Sequence, residues 1–182
     1  MNKKIIIRTL LSGIILFLWQ FVSWAASGLH SGSQTHSPKQ DTVLAFFESI
    51  QLEEGGYIMP MPKPDATQEE YEKFGKENSN KPWAQVYYHK TKSVNMGMSM
   101  LRGVIVDMIL VFIMMFLLDK MPVIGLIQGK MYAIAIGFIT FIAEPYTHYI
   151  WYHTPNIWSY LLDAIIPYAI IGLLYAKFWQ NK

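Results

Sequence analysis

Residues 141–168, "FIAEPYTHYIWYHTPNIWSYLLDAIIPY", set Glu144, His148, His153 and Asp163 inside or beside long apolar runs. A charge at the centre of a bilayer costs about 3 kcal/mol on insertion scales, so such groups face a bundle interior or water and pair with one another. Arg102 and Asp107 raise the same problem earlier in the chain. On the topology set out below, Arg102, Asp107, Glu144, His148 and Asp163 all fall in the outward half of their spans. They then lie within about two helical turns of one another along the bilayer normal. Glu144 and His148 are four positions apart and share a helix face. We read these residues as one buried polar cluster.

Its charges do not cancel. Asp107, Glu144 and Asp163 oppose Arg102 alone, which leaves excess negative charge unless His148 is protonated, a carboxyl keeps its proton, or a cation binds. Pro145 removes a helix hydrogen bond beside Glu144, and Pro167 frees the carbonyl of Asp163. Freed carbonyls are tolerated at membrane depth where protein or water satisfies them. The plainer reading is structural: Arg102 pairs with Asp107 or Asp163 to set helix register, while His148 and His153 rest among headgroups. The chemical reading is a site for a proton, a cation or a small ligand.

Methionine offers a second chemistry. "MPMP" contributes Met59 and Met61, and "NMGMSM" contributes Met96, Met98 and Met100, with His30, His36 and His89 on the same side. Thioethers are soft ligands suited to Cu(I), and alternate residues of an extended chain share one face, so copper is a candidate cofactor. The same methionines also serve as apolar filler.

Conventional enzyme signatures are missing: there is no GxSxG elbow, HExxH, P-loop or GxGxxG fingerprint. "EPYTH" spaces Glu144 and His148 as ligands, yet its proline disturbs the helix that would present them. The expected role is therefore non-enzymatic.

The elements that must position these groups are long and apolar. Of the 182 residues, 52% are hydrophobic and 15% aromatic, with a mean hydropathy of +0.21. That balance is too apolar for a water-soluble domain and suits a bilayer. Fifteen basic and thirteen acidic residues nearly cancel, and no basic stripe exists to neutralise a phosphate backbone, so nucleic acid is not an expected partner. The absence of cysteine excludes disulfides, thiolate metal sites and thiol nucleophiles.

A span needs about 20 mostly apolar residues. Residues 5–26, 99–118, 131–151 and 157–178 qualify. Basic loops remain cytoplasmic, and Lys3, Lys4, Arg8, Lys120, Lys130, Lys177 and Lys182 all fall on one side if both termini are cytoplasmic. The loop "YHTPN" then faces outward and carries neither Lys nor Arg. The uninterrupted apolar run in the first span is longer than the core of a signal peptide, so it is read as a retained helix despite the small residues in "SWAAS". Small-xxx-small pairs at Ser99/Gly103, Ala133/Gly137 and Gly172/Ala176 permit close helix approach and are read as internal packing rather than dimerisation.

Between the first two spans, residues 27–98 form a polar insertion. It opens with the Ser/Gly-rich linker "SGLHSGSQTHSPKQ". A helix with the stripe Val43, Leu44, Phe46, Phe47 and Ile50 begins at Asp41, and "EEGG" stops it. "YIMPMP" reads as an edge strand, "DATQEEYEKFG" as a helix capped by Asp65 or Thr67 and ended by Gly75, and "WAQVYYH" as a second strand. The expected fold is a mainly α membrane protein. A first helix (1–26) precedes the extracytoplasmic α/β insertion (27–98), and three more helices (99–182) complete a four-helix transmembrane bundle.

The segments "LWQFVSW", "EEGGYIMPMP", "KPWAQVYYH", "NMGMSM" and "WYHTP" resemble those of an uncharacterised family of bacterial four-span inner-membrane proteins with an extracytoplasmic insertion after the first span. That resemblance implies the topology and assigns no activity. The resulting expectation is an accessory or binding protein of a bacterial inner membrane. It acts through its extracytoplasmic domain on an envelope or membrane protein partner, with the lipid bilayer as its surroundings. The alternatives are proton or cation handling by the polar cluster, and copper binding by the methionines.

Overall fold

A computed structural model describes residues 3–180. The fold is mainly helical, with four helices long and apolar enough to cross a membrane: α1 (Lys3–Ala26), α4 (Met96–Leu118), α5 (Leu126–Tyr152) and α6 (Ile157–Trp179). The chain divides into two compact units. One holds these helices with the segment up to Thr35, and the other is His36–Ser93.

In the helical unit, each helix buries a face set by helical spacing. On α1 the buried face runs through Ile5, Arg8, Thr9, Ser12, Gly13 and Leu16. On α4 it runs through Asp107, Val111, Met114, Met115 and Leu118. Helix α5 buries a seam of mostly small residues, Gly129, Ala133, Gly137 and Phe141, one per turn. These seat α6 backbone to backbone. A methyl group added at Gly137 would strike the Ala164 carbonyl, and one at Gly172 would strike the Gly129 carbonyl. The pairs Ala133/Gly137 and Gly172/Ala176 thus pack within the chain. Gly103 instead faces open space.

Val111, Met114, Met115, Leu118 and Ile171 form the fully buried centre. Opposite faces stay exposed and apolar, with Ile7, Leu18, Ile139 and Phe178 more than half exposed. Such a surface exceeds what a water-soluble protein leaves uncovered. Helix α5 widens to a π turn at Ile142–Tyr146, which contains Pro145. There the Thr147 hydroxyl donates to the Ile142 carbonyl at 2.7 Å, a local repair of the kind a proline-disturbed ladder requires. The turn into α6 places His153 (φ 46°) and Asn156 (φ 67°) in the left-handed region.

The second unit contains α2 (Gln40–Ser49), β1 (Gly55–Met59), α3 (Gln68–Asn78) and β2 (Ala84–Tyr88). Its strands pair antiparallel, with Tyr57 opposite Val86. The order helix, strand, helix, strand follows the sequence expectation, although three details differ. Helix α2 starts one residue before Asp41 and has no side-chain cap. It closes on Gln51, at φ 52°, so the chain turns before "EEGG". Helix α3 is capped by Thr67 in a reciprocal box with Glu70, and it runs through Gly75 to Asn78, since Gly75 does not adopt the left-handed conformation by which a glycine ends a helix. The α2 stripe is only partly used: Phe47 meets the Tyr88 ring at 5.5 Å, while Val43, Leu44, Phe46 and Ile50 remain exposed. A unit this small buries little core.

Candidate functional site

Three polar contacts tie the helices together. At one end, Arg8 on α1 donates to the Asp119 carboxylate at 2.7 Å, and the Tyr175 hydroxyl donates to the same oxygen at 2.8 Å. Toward the other end of α1, Gln20 Nε2 donates to Asp107 Oδ1 at 2.9 Å. Close by, Asp163 Oδ1 accepts from Trp19 Nε1 at 2.9 Å and from Ser23 Oγ at 2.6 Å. Its Oδ2 lies 2.8 Å from His30 Nε2.

His30 belongs to residues 27–35, which the sequence presents as linker. The structure instead folds this stretch onto the helical unit. The Leu29 carbonyl accepts from Asn156 Nδ2 and Ser159 Oγ, both at 2.7 Å. The His30 ring stacks on Trp24 at 3.9 Å and meets Tyr160 edge-on at 4.9 Å. Ser33 Oγ lies 3.4 Å from His30 Nδ1. Ser33, His30 and Asp163 thus follow the connectivity of a hydroxyl, base and orienting carboxylate. The His30 side chain is only 1% exposed, so its ring is closed to a reacting substrate and acts as a fastener.

Between the Gln20 and Asp163 contacts lies a cleft of about 350 Å³ to which all four long helices contribute. Gln20 and Trp24 come from α1, Asp107 from α4, Thr140, Phe141 and Glu144 from α5, and Tyr160, Asp163 and Tyr168 from α6. No lysine or arginine lines it. Asp107 is 4% exposed, and its Oδ2 is buried without a hydrogen-bond partner. A buried carboxylate oxygen in that state is costly unless something pairs with it.

The cleft draws together Asp107, Glu144 and Asp163 and omits Arg102 and His148. Arg102 is exposed on α4 and makes no ion pair among the described residues. Asp107 is instead held by Gln20, and Asp163 by Trp19, Ser23 and His30. Glu144 is exposed at the cleft rim. The half-buried His148 ring lies 4.8 Å from Tyr152. Sequence reasoning missed Gln20 and the partnerships of His30 and Arg8. A glutamine inside an apolar run was the available signal for the first; no local signal marked His30 among serines and glycines.

The methionines divide between the two units. Met59 lies on β1 and Met61 follows it, whereas Met96, Met98 and Met100 occupy the start of α4, where the Asn95 side chain accepts from the Met98 amide at 3.0 Å. On a helix, residues two apart point about 200° away from each other, so the shared face of an extended chain is not formed there. Among the described residues, no three His, Asp or Glu side chains converge as a metal site requires.

The second unit carries a groove of about 810 Å³ lined by Asp41, Glu48, Glu53, His89, Lys90 and Lys92, among others. Lys90 Nζ lies 2.7 Å from Glu53 Oε2, and this bond holds the ammonium above its ordinary pKa.

Compared with protein-family models, with curated proteins and with solved structures, the chain matches none.

Proposed function

We propose that this chain is a multi-pass protein of a bacterial inner membrane, with both termini cytoplasmic, and that its helical unit holds a proton or small cation in the acidic cleft. The membrane placement is supported by the four long apolar helices and their exposed apolar faces. The orientation is supported by Lys3, Lys4 and Arg8 at the start of α1, Lys120 and Lys130 between α4 and α5, and Lys177 near the end of α6. One observation carries the site: Asp107, which lines the cleft together with Glu144 and Asp163, is nearly fully buried and has one buried carboxylate oxygen without a hydrogen-bond partner. In a low-dielectric setting such a group takes up a proton or a cation. The role is one of binding, without covalent chemistry.

Infrared difference spectroscopy in lipid nanodiscs tests this reading by following the carboxylic acid band through pH and cation titrations. The groups facing the cleft are Asp107, Glu144, Asp163, Tyr160 and Tyr168. A responsive band that disappears in Asp107→Asn supports the reading. A pH- and cation-dependent carboxyl spectrum from which Asp107→Asn removes no band overturns it.

A second reading assigns binding to the extracytoplasmic unit, acting as an accessory module for an envelope or membrane protein partner. It is favoured by the exposed Val43, Leu44, Phe46 and Ile50 along α2.

A further inference from the structure

Resting on the proposal that the cleft holds a cation, we infer that its occupant is a small organic ammonium ion: an alkyl- or arylalkylamine with one positive charge and an apolar body. Of the three carboxylates lining the cleft, Asp107 is the one with a buried, unsatisfied oxygen. Gln20 fixes Asp107 Oδ1 at 2.9 Å and thereby orients the carboxylate, while Oδ2 is left without a partner. An oriented carboxylate suits an N–H donor of an ammonium group, and Glu144 and Asp163 in the same lining offer acceptors for its other donors. A bare divalent ion would instead need several oxygens drawn together, and among the described residues no three His, Asp or Glu side chains are grouped to hold one.

The walls agree with this assignment. Trp24, Phe141, Tyr160 and Tyr168 bring aromatic rings from α1, α5 and α6, and aromatic faces attract cations through their quadrupole. Trp24 is held in place by its stack on His30 and by an edge contact to Tyr160 at 6.1 Å. Leu16, Val106 and Leu110 supply apolar surface for the ligand body. The volume of about 350 Å³ lies at the lower end of the roughly 300–1,000 Å³ typical of small-molecule pockets and far exceeds a dehydrated metal ion. With acidic side chains and no basic ones, the lining rejects anions.

The test uses the full chain in lipid nanodiscs, reading tryptophan fluorescence, since Trp24 borders the cleft. The probes are 2-phenylethylammonium, its neutral counterpart 2-phenylethanol, sodium and potassium, with empty nanodiscs correcting for partition into lipid. The expected result is a saturable response to the amine, none to the alcohol, and at least a tenfold loss of amine affinity in Asp107→Asn. Val106→Trp fills the cleft from an exposed position on α4, so it blocks amine binding without disturbing the buried helix faces. It decides the matter if Asp107→Asn fails to fold. Equal binding of alcohol and amine, or unchanged amine affinity in both variants, overturns the inference. A saturable response to sodium or potassium alone, or a carboxyl band that answers only to pH, overturns the amine assignment and leaves the cation or proton reading standing. A silent fluorescence titration together with no infrared band that depends on Asp107 removes both.

Discussion

Asp163 shows how much one carboxylate organises. It joins Trp19 and Ser23 of α1 to its own helix and fastens His30 besides. Hydrogen bonds to a charged group contribute about 1.5–3 kcal/mol each, and leaving their buried partners unpaired adds to the loss. Asp163→Ala is therefore expected to destabilise the helical unit by about 2–4 kcal/mol and to speed amide hydrogen exchange across residues 27–35. His30→Ala should accelerate exchange in the same residues with a smaller global effect. The double variant should fall short of the sum, because both substitutions break one bond. Additive effects, or exchange unchanged in residues 27–35, would show that the His30 to Asp163 contact does not hold this segment.

At the scale of elements, the α5 and α6 seam makes the sharpest contrast. Gly137 and Gly172 lie against backbone carbonyls of the opposing helix, whereas Gly103 meets nothing within 4 Å. Gly137→Leu is expected to push the helices apart and cost at least about 2 kcal/mol, while Gly103→Leu should leave the melting temperature in detergent nearly unchanged. Equal melting of the two variants would contradict the close approach.

Helix α3 offers a milder case. Thr67 caps it by accepting from the Glu70 amide, and the Thr67 amide donates to the Glu70 carboxylate at 2.7 Å. That hydrogen bond holds the Glu70 pKa below its ordinary value. A lowered folded-state pKa gives stability that is present above the unfolded value and lost as pH falls through the folded one. The first turn of α3 should accordingly fray as Glu70 protonates in acid. Thr67→Ala should remove about 1 kcal/mol of helix stability, read as faster exchange of the first-turn amides.

For the whole molecule, the proposed orientation is open to a direct check because the chain contains no cysteine. A single cysteine placed at Ala66, in the His36–Ser93 unit, should react with a membrane-impermeant maleimide on intact cells freed of their outer membrane. One at Met121, beside Lys120, should react only after the inner membrane is opened. The reverse pattern would invert the topology, and labelling of both from outside would refute four crossings.

Much was legible in the sequence. Helix existence and length are local quantities: about twenty contiguous apolar residues match the bilayer thickness whatever surrounds them, and each expected span lies within an observed helix. Asp107, Glu144 and Asp163 were conspicuous for the same reason, as charges within such runs. Partnership was not legible, because it depends on which helices become neighbours and how each is rotated about its axis. Arg102 had a suitable charge at a suitable depth, yet α4 turns it outward while Asp107 faces in. His30 reaches Asp163 across 133 positions of sequence, a pairing that no short window contains. The acids and the helices follow from the chain by itself; the cleft, its orphaned oxygen and its aromatic walls exist only once four helices close around them.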